Sequence, residues 1–201
     1  GIYGFRYKGV YAFDYDHNGY FTNDEKNQWY NADGSQNTAA AQTDPALRKS
    51  TPIVFDADGN VVYDKNGNPL PMYFNYGGKN YQFQGGDAMY EDINHDGNID
   101  ELDIVYLGTS NPKLNGGFGL EFKYDRWTLK TNFNFRVGNK IINLARLNAE
   151  SMVSNKNQSQ AVSHRWRKNG QVTTIPRAVS SNVTATYNSL VSDRYVEPGD
   201  F

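Results

Sequence analysis

The stretch 117–138, GFGLEFKYDRWTLKTNFNFRVG, alternates strictly between two kinds of side chain. One set is Phe118, Leu120, Phe122, Tyr124, Trp127, Leu129, Thr131, Phe133, Phe135 and Val137. The other is Gly119, Glu121, Lys123, Thr128, Lys130, Asn132, Asn134 and Arg136. Successive side chains of a β-strand point to opposite faces, so a period of two predicts strands. The alternation breaks only at Asp125–Arg126, which predicts antiparallel strands over 117–124 and 127–138 joined by a tight turn. A half-buried hairpin of a soluble sandwich alternates in the same way, so the pattern alone leaves two architectures open. Two features point to a membrane. The runs match the roughly ten residues that a tilted bilayer-spanning strand needs. Tyr124 and Trp127 sit together at the turn end, where an interfacial aromatic girdle belongs.

The rest of the chain agrees with an all-β reading. Hydrophobic residues make up 38% of the 201, but aromatics reach 14%, with 15 Tyr, 11 Phe and 19 Gly. That mixture favours strands and turns. No run of about 18 apolar residues exists, so no transmembrane helix is expected; membrane strands need far less. The net charge of −2 argues against nucleic acid as a partner. The absence of Cys excludes a disulfide scaffold and a Cys-based zinc site. The final residues, YVEPGDF, read as a strand cut as it begins, so a fragment of a longer protein is expected.

The organisation follows from these segments. Residues 1–13 read as a strand end. Residues 14–116 read as a long loop region with a small β-hairpin insertion at 53–74, where DADGN and DKNGN supply turn signals. A short helix is expected around Asn23–Tyr30. Residues 117–138 form the hairpin, 139–195 a second loop with short helices, and 196–201 the start of the next strand. Short turns at one end and long loops at the other are the asymmetry of an outer-membrane barrel.

Within the first loop, DINHDGNIDELD (92–103) has the ligand spacing of a calcium loop. Asp92, Asn94, Asp96, Asp100 and Asp103 supply hard oxygens at alternate places, Asn98 offers its backbone carbonyl, and Gly97 permits the sharp turn. The twelfth place holds Asp rather than a bidentate Glu, which weakens or reshapes the site. An acidic turn held by Asx hydrogen bonds has the same letters. A second loop, DYDHNGYFTNDE, places Asp14, Asp16, Asn18, Thr22 and Glu25 at ligand positions, with Tyr20 offering its carbonyl. His17 and His95 fall at the outward-facing fourth position of the two loops. His164 stands beside a short basic aromatic patch, and Asp56 and Asp58 read as turn residues. No nucleophile elbow or paired acid motif appears, so no catalytic residue is expected.

The segment GDAMYEDINHDGNIDELDIVYLGTSNPKLNGGFGLEFKYDRWTLKTNFNFRVGNKIIN (86–143) resembles the C-terminal barrel region of SusC/RagA-type TonB-dependent outer-membrane transporters. The motifs HRWRKNG with IPRA, SDRYVEPGDF and YGFRYKGVY are similar to further stretches of that family. The 31–80 region matches least, and the second acidic loop departs from the family by being more acidic. The resemblance implies a fragment of a large transmembrane β-barrel, about 22 strands around a plugged lumen, with long extracellular loops. It implies import of glycans or peptides with a SusD-like surface lipoprotein, energised by TonB through an N-terminal part that these residues lack. It implies an outer-membrane location with lipid around the strands, and Ca²⁺ remains a structural cofactor expected from the loops. Two readings stand against it: a secreted calcium-stabilised β module for adhesion or glycan binding, and a glycoside hydrolase fragment resting only on abundant carboxylates and aromatics.

Overall fold

The structure, a computed structural model, describes residues 1–13, 50–153, 156–168, 170–179 and 190–201. The helix expected near Asn23–Tyr30 and the acidic loop from Asp14 to Glu25 lie outside the described residues. What is described is mostly strand and turn, with one α-helix.

Strands β1 (Ile2–Gly4) and β2 (Tyr7–Val10) open the chain. Short strands β3 (Tyr73–Phe74), β4 (Tyr81–Gln82), β5 (Ala88–Tyr90) and β6 (Asn98–Ile99) follow in the loop region. Strand β7 (Val105–Gly108) leads to the two long strands, β8 (Leu114–Tyr124) and β9 (Trp127–Val137). The chain closes with β10 (Lys140–Ile142), helix α1 (Leu144–Glu150) and β11 (Val196–Pro198).

β8 and β9 pair antiparallel from Leu114↔Val137 down to Tyr124↔Trp127 without a bulge. The hairpin therefore begins three residues earlier than the alternation suggests, at Leu114. Asp125 takes φ +50° in the two-residue turn, a left-handed conformation that Asp tolerates and a tight hairpin requires. The ladder has neighbours at both edges of its open end. β1 pairs antiparallel with β7, which runs on toward β8. On the other edge β10 pairs with β11, and beyond it Phe201 and Arg136 exchange both backbone hydrogen bonds, at 2.9 and 3.0 Å. A further strand thus starts along β9.

The buried core lies elsewhere, between residues 1–13 and the loop region that follows them. Phe5, Tyr11, Val54, Met72, Phe74, Phe83, Ala88, Tyr90 and Ile99 form one cluster. Its rings meet edge-on or tilted, for example Phe5 with Tyr76 at 5.5 Å and Tyr11 with Phe83 at 5.4 Å.

The 53–74 insertion is not a single two-stranded hairpin. The N–H of Val62 donates to the Val54 carbonyl, that of Leu70 to Val62, and that of Val54 to Leu70, closing a ring of three short segments. Two Asp residues eight apart make the corners. The Asp56 carboxylate accepts from the N–H groups of Asp58 and Asn60, and Asp64 does the same with Asn66 and Asn68. Each turn is complete in itself, and Pro69 and Pro71 have no N–H to extend a ladder.

Of the short helices expected in 139–195, α1 forms at Leu144–Glu150, and its first turn is capped by Asn143 Oδ1 accepting from the Arg146 N–H at 2.9 Å.

Candidate functional site

The two faces of the β8–β9 hairpin differ in chemistry, and neither is covered by the rest of the described residues. On one face Phe118, Leu120, Phe122, Tyr124, Trp127, Leu129 and Phe133 are all exposed, Leu129 at 62% and Trp127 at 80%. Thr131, the polar member of that face, points its hydroxyl at the Leu120 carbonyl. Leaving such side chains in water forgoes roughly 1.5–3 kcal/mol apiece. An apolar band of this size requires a cover of lipid or protein. The opposite face carries Glu121 in ion pairs with Lys123 at 2.9 Å and Lys130 at 3.3 Å. The amides of Asn132 and Asn134 lie across Gly119 and Gly117, where a Cβ would come within 2.6 Å of each amide oxygen.

The acidic loop is built by its own backbone. Asp92 Oδ2 accepts from the Gly97 N–H at 2.8 Å, Asn94 Oδ1 from Asp96 at 3.1 Å, and Asp96 Oδ1 from Asn98 at 2.7 Å. Gly97 takes φ +85° and lies so close to Val54 that a Cβ would meet its Cγ2 at 2.6 Å. Gly97 and Ile99 give their carbonyls to the N–H groups of Tyr73 and Asn75 on the β3 side. Strand alternation therefore turns the Asn98 carbonyl away from β3, since β6 lies at the edge of its sheet. Asp100 caps a 3-10 turn at Leu102, and Asp103, fully buried, accepts from Ile93 at 2.8 Å and Asp100 at 3.0 Å.

Burial pushes the carboxyls of Asp92 and Asp103 above the ordinary range; Asp96 adds to the first effect, and Asp92 and Asp100 to the second. Asp92 Oδ1 is buried and has no hydrogen-bond partner among the described residues. No three His, Asp or Glu side chains among those residues converge as a metal-holding group. The loop thus folds 92–103 into one turn in which side-chain oxygens of Asp92, Asn94, Asp96, Asp100 and Asp103 accept from backbone N–H groups, while Asp92 Oδ1 stays without a partner among the described residues. His95 is exposed, as expected of the fourth position, and its Nδ1 lies 3.2 Å from the Phe55 carbonyl.

Among the described residues, two ion pairs with buried carboxylates, at Asp87 and Glu150, span distant segments, and neither has a local sequence signature. Arg177 Nε donates to Asp87 Oδ1 at 2.9 Å across 90 residues, while the Tyr81 hydroxyl donates to Asp87 Oδ2. Arg194 donates to Glu150 Oε2 at 2.6 Å, with side chains only 6% and 3% exposed. The same guanidinium lies over the rings of Tyr7 and Tyr195 and donates to the Tyr7 hydroxyl and the Thr174 carbonyl. Arg146 grips the second Glu150 oxygen from within α1 and reaches Glu197 on β11. These residues tie α1, β2 and β11 at the open end of the hairpin.

An all-β chain with a bare, two-faced hairpin agrees with a piece of a membrane barrel, and the comparison with known proteins points the same way. The chain is similar to a TonB-dependent receptor of Formosa agariphila, with 32% identity over 114 residues. The match covers 57% of this chain but only 11% of the length of that relative. No family model matches the chain.

Proposed function

We propose that this chain is part of an outer-membrane TonB-dependent transporter of the SusC/RagA type. In this reading the transporter imports glycans or peptides together with a SusD-like surface lipoprotein. The observation that carries it is the β8–β9 hairpin, whose 11-residue strands bare an apolar face on one side and a charged and amide face on the other. Eleven residues rise about 37 Å, and a tilt of about 45° reduces this to roughly 26 Å, the height of a lipid-facing band. Tyr124 and Trp127 then sit at the periplasmic rim and the Asp125–Arg126 turn just beyond it. Strands beginning on both edges support a wall that continues around a barrel. The likeness to a TonB-dependent receptor supports outer-membrane transport; the type, the cargo and the lipoprotein partner rest on the sequence resemblance. A secreted module would leave the same apolar face bare in water, which disfavours it.

The loop region faces the outside in this reading, and its role is to bind and to hold shape. The chain carries no catalysis of its own, and contact with TonB belongs to another part of the protein. Calcium is the cation that suits the 92–103 loop: hard oxygens are its ligands, and Asp92 Oδ1 is buried without a partner among the described residues. It would neutralise carboxylates that burial and mutual repulsion leave costly to ionise.

Environment-sensitive labels at Phe133 and Asn134 in the protein reconstituted into vesicles test the barrel reading. Position 133 is expected to report lipid and 134 water. Equal water exposure at both would overturn it.

A further inference from the structure

A cleft of about 510 Å³ opens between the first Asp turn, strands β2 and β5, and the acidic loop. Ile53, Phe55, Met72 and Met89 line its floor, and Lys8, Asp92 and His95 stand on its rim. Its volume is that of a small-molecule or peptide site. We propose that this cleft takes an apolar side chain of an oligopeptide. The proposal narrows the import reading to its peptide branch, and rests on that reading for the loops facing outward.

The floor combines the aliphatic Ile53, the half-buried ring of Phe55 and the thioethers of Met72 and Met89, and methionine adapts its unbranched shape to side chains of different outline. A sugar asks for different groups: side chains that pair neighbouring hydroxyls, and an open aromatic face. Among the described residues no Asn, Gln, Arg or Trp lines this cleft, and its two tyrosines, Tyr11 and Tyr90, are each 3% exposed.

The rim selects charge. Lys8 is paired with Glu91 at 2.8 Å, and Arg6 binds the other Glu91 oxygen at 3.0 Å. Asp56 spends its carboxylate on its own turn. That leaves Asp92, with Oδ1 unpartnered among the described residues. Positive charge beside the half-buried Asp92 carboxylate completes the site, supplied either by a cation in the loop or by the ammonium of the bound peptide. The contact from His95 to the Phe55 carbonyl joins the loop to the cleft wall, so filling the loop steadies the pocket.

The test uses the purified protein in detergent, with folding checked by heat-dependent gel migration. The probe is the tripeptide Leu-Gly-Gly with a photoreactive leucine in first place, compared with its N-acetyl form and with maltotriose, each with calcium and with chelator. Crosslinks are expected within 51–59, at Met72 or within 89–95, and maltotriose is expected not to displace the peptide. Met89→Ala is expected to weaken peptide binding about tenfold, the loss of one good apolar contact. Acetylation that leaves binding intact in calcium assigns the positive charge to the metal. Acetylation that abolishes binding assigns it to the ammonium; both outcomes uphold the cleft. Crosslinks confined to other segments, displacement by maltotriose, or unchanged binding by Met89→Ala would each overturn it. Because binding is read without transport, failed uptake with these crosslinks intact counts against the import reading alone.

Discussion

The rings of Phe118 and Phe133 stack at 4.9 Å, 21° from parallel, on a hairpin face that no other part of the described chain covers. The two residues are cross-strand partners in the β8–β9 register. Their contact holds the ladder together but removes little apolar surface from water, so the stability of this face depends on what solvates it. In a bilayer, Leu129→Arg or Phe133→Arg is expected to cost about 2–4 kcal/mol near the midplane and less toward the rims. Chemical unfolding of the protein from vesicles measures this. A change below about 0.5 kcal/mol at both positions would mean that the face does not meet lipid.

The acidic loop is expected to depend on calcium. Chelation, or Asp96→Ala in the presence of calcium, should expose residues 80–110 to protease. Asp92→Asn should weaken the calcium response while preserving the acceptor for the Gly97 N–H. Equal protection with and without calcium would reduce the loop to an acidic turn.

Two sets of carboxylates should respond to pH with opposite sign. Burial raises Asp92 and Asp103, so their contribution is full below the unfolded pKa and is lost as pH rises through the folded value. Backbone N–H groups lower Asp56 and Asp64, chiefly those of Asn60 and Asn68, so their contribution is present at neutral pH and lost as pH falls. In chelator, lowering pH from about 7 toward about 4 should therefore increase amide protection at 92–103, and lowering it further, from about 4 toward about 2, below where ordinary carboxylates titrate, should decrease it at 56–68. Hydrogen exchange corrected for intrinsic rates reads both segments in one experiment. Movement of both in the same direction would contradict the assignment.

Glu150→Ala should loosen the open end of the hairpin. It leaves the buried Arg194 guanidinium without its anion, a change that costs about 3–5 kcal/mol at buried pairs. The loss should appear as faster exchange in 1–10 and 190–198, with the β8–β9 ladder unaffected. The double change Glu150→Leu with Arg194→Met should cost less than Glu150→Ala, because it removes both charges together. A double variant as unstable as the single one would show that packing, not charge, is what the pair supplies.

The hairpin was legible from residues alone because its information is local. Side chains at period two and a two-residue break at Asp125–Arg126 specify strands, faces and turn together, and the structure adds only the three residues from Leu114. The acidic loop was legible for the same reason, since its N–H groups reach oxygens two to five residues away. The insertion at 53–74 was half legible: both turns were marked by Asp, Gly and Asn, but the ring joining Val54, Val62 and Leu70 depends on three segments meeting at once. The buried pairs left no trace in the sequence. Arg177 meets Asp87, and Arg194 meets Glu150, Tyr7 and Thr174, through packing across tens of residues. A lone Arg or Glu reads as solvated until its surroundings exclude water. The sequence by itself thus determined the strand pairing, its two faces and the shape of the acidic turn, all set by short-range sterics and hydrogen bonds. Only the tertiary structure decided which charges are buried, which oxygen of Asp92 stands unpaired, and where a cleft forms, because desolvation depends on every segment packed around a group.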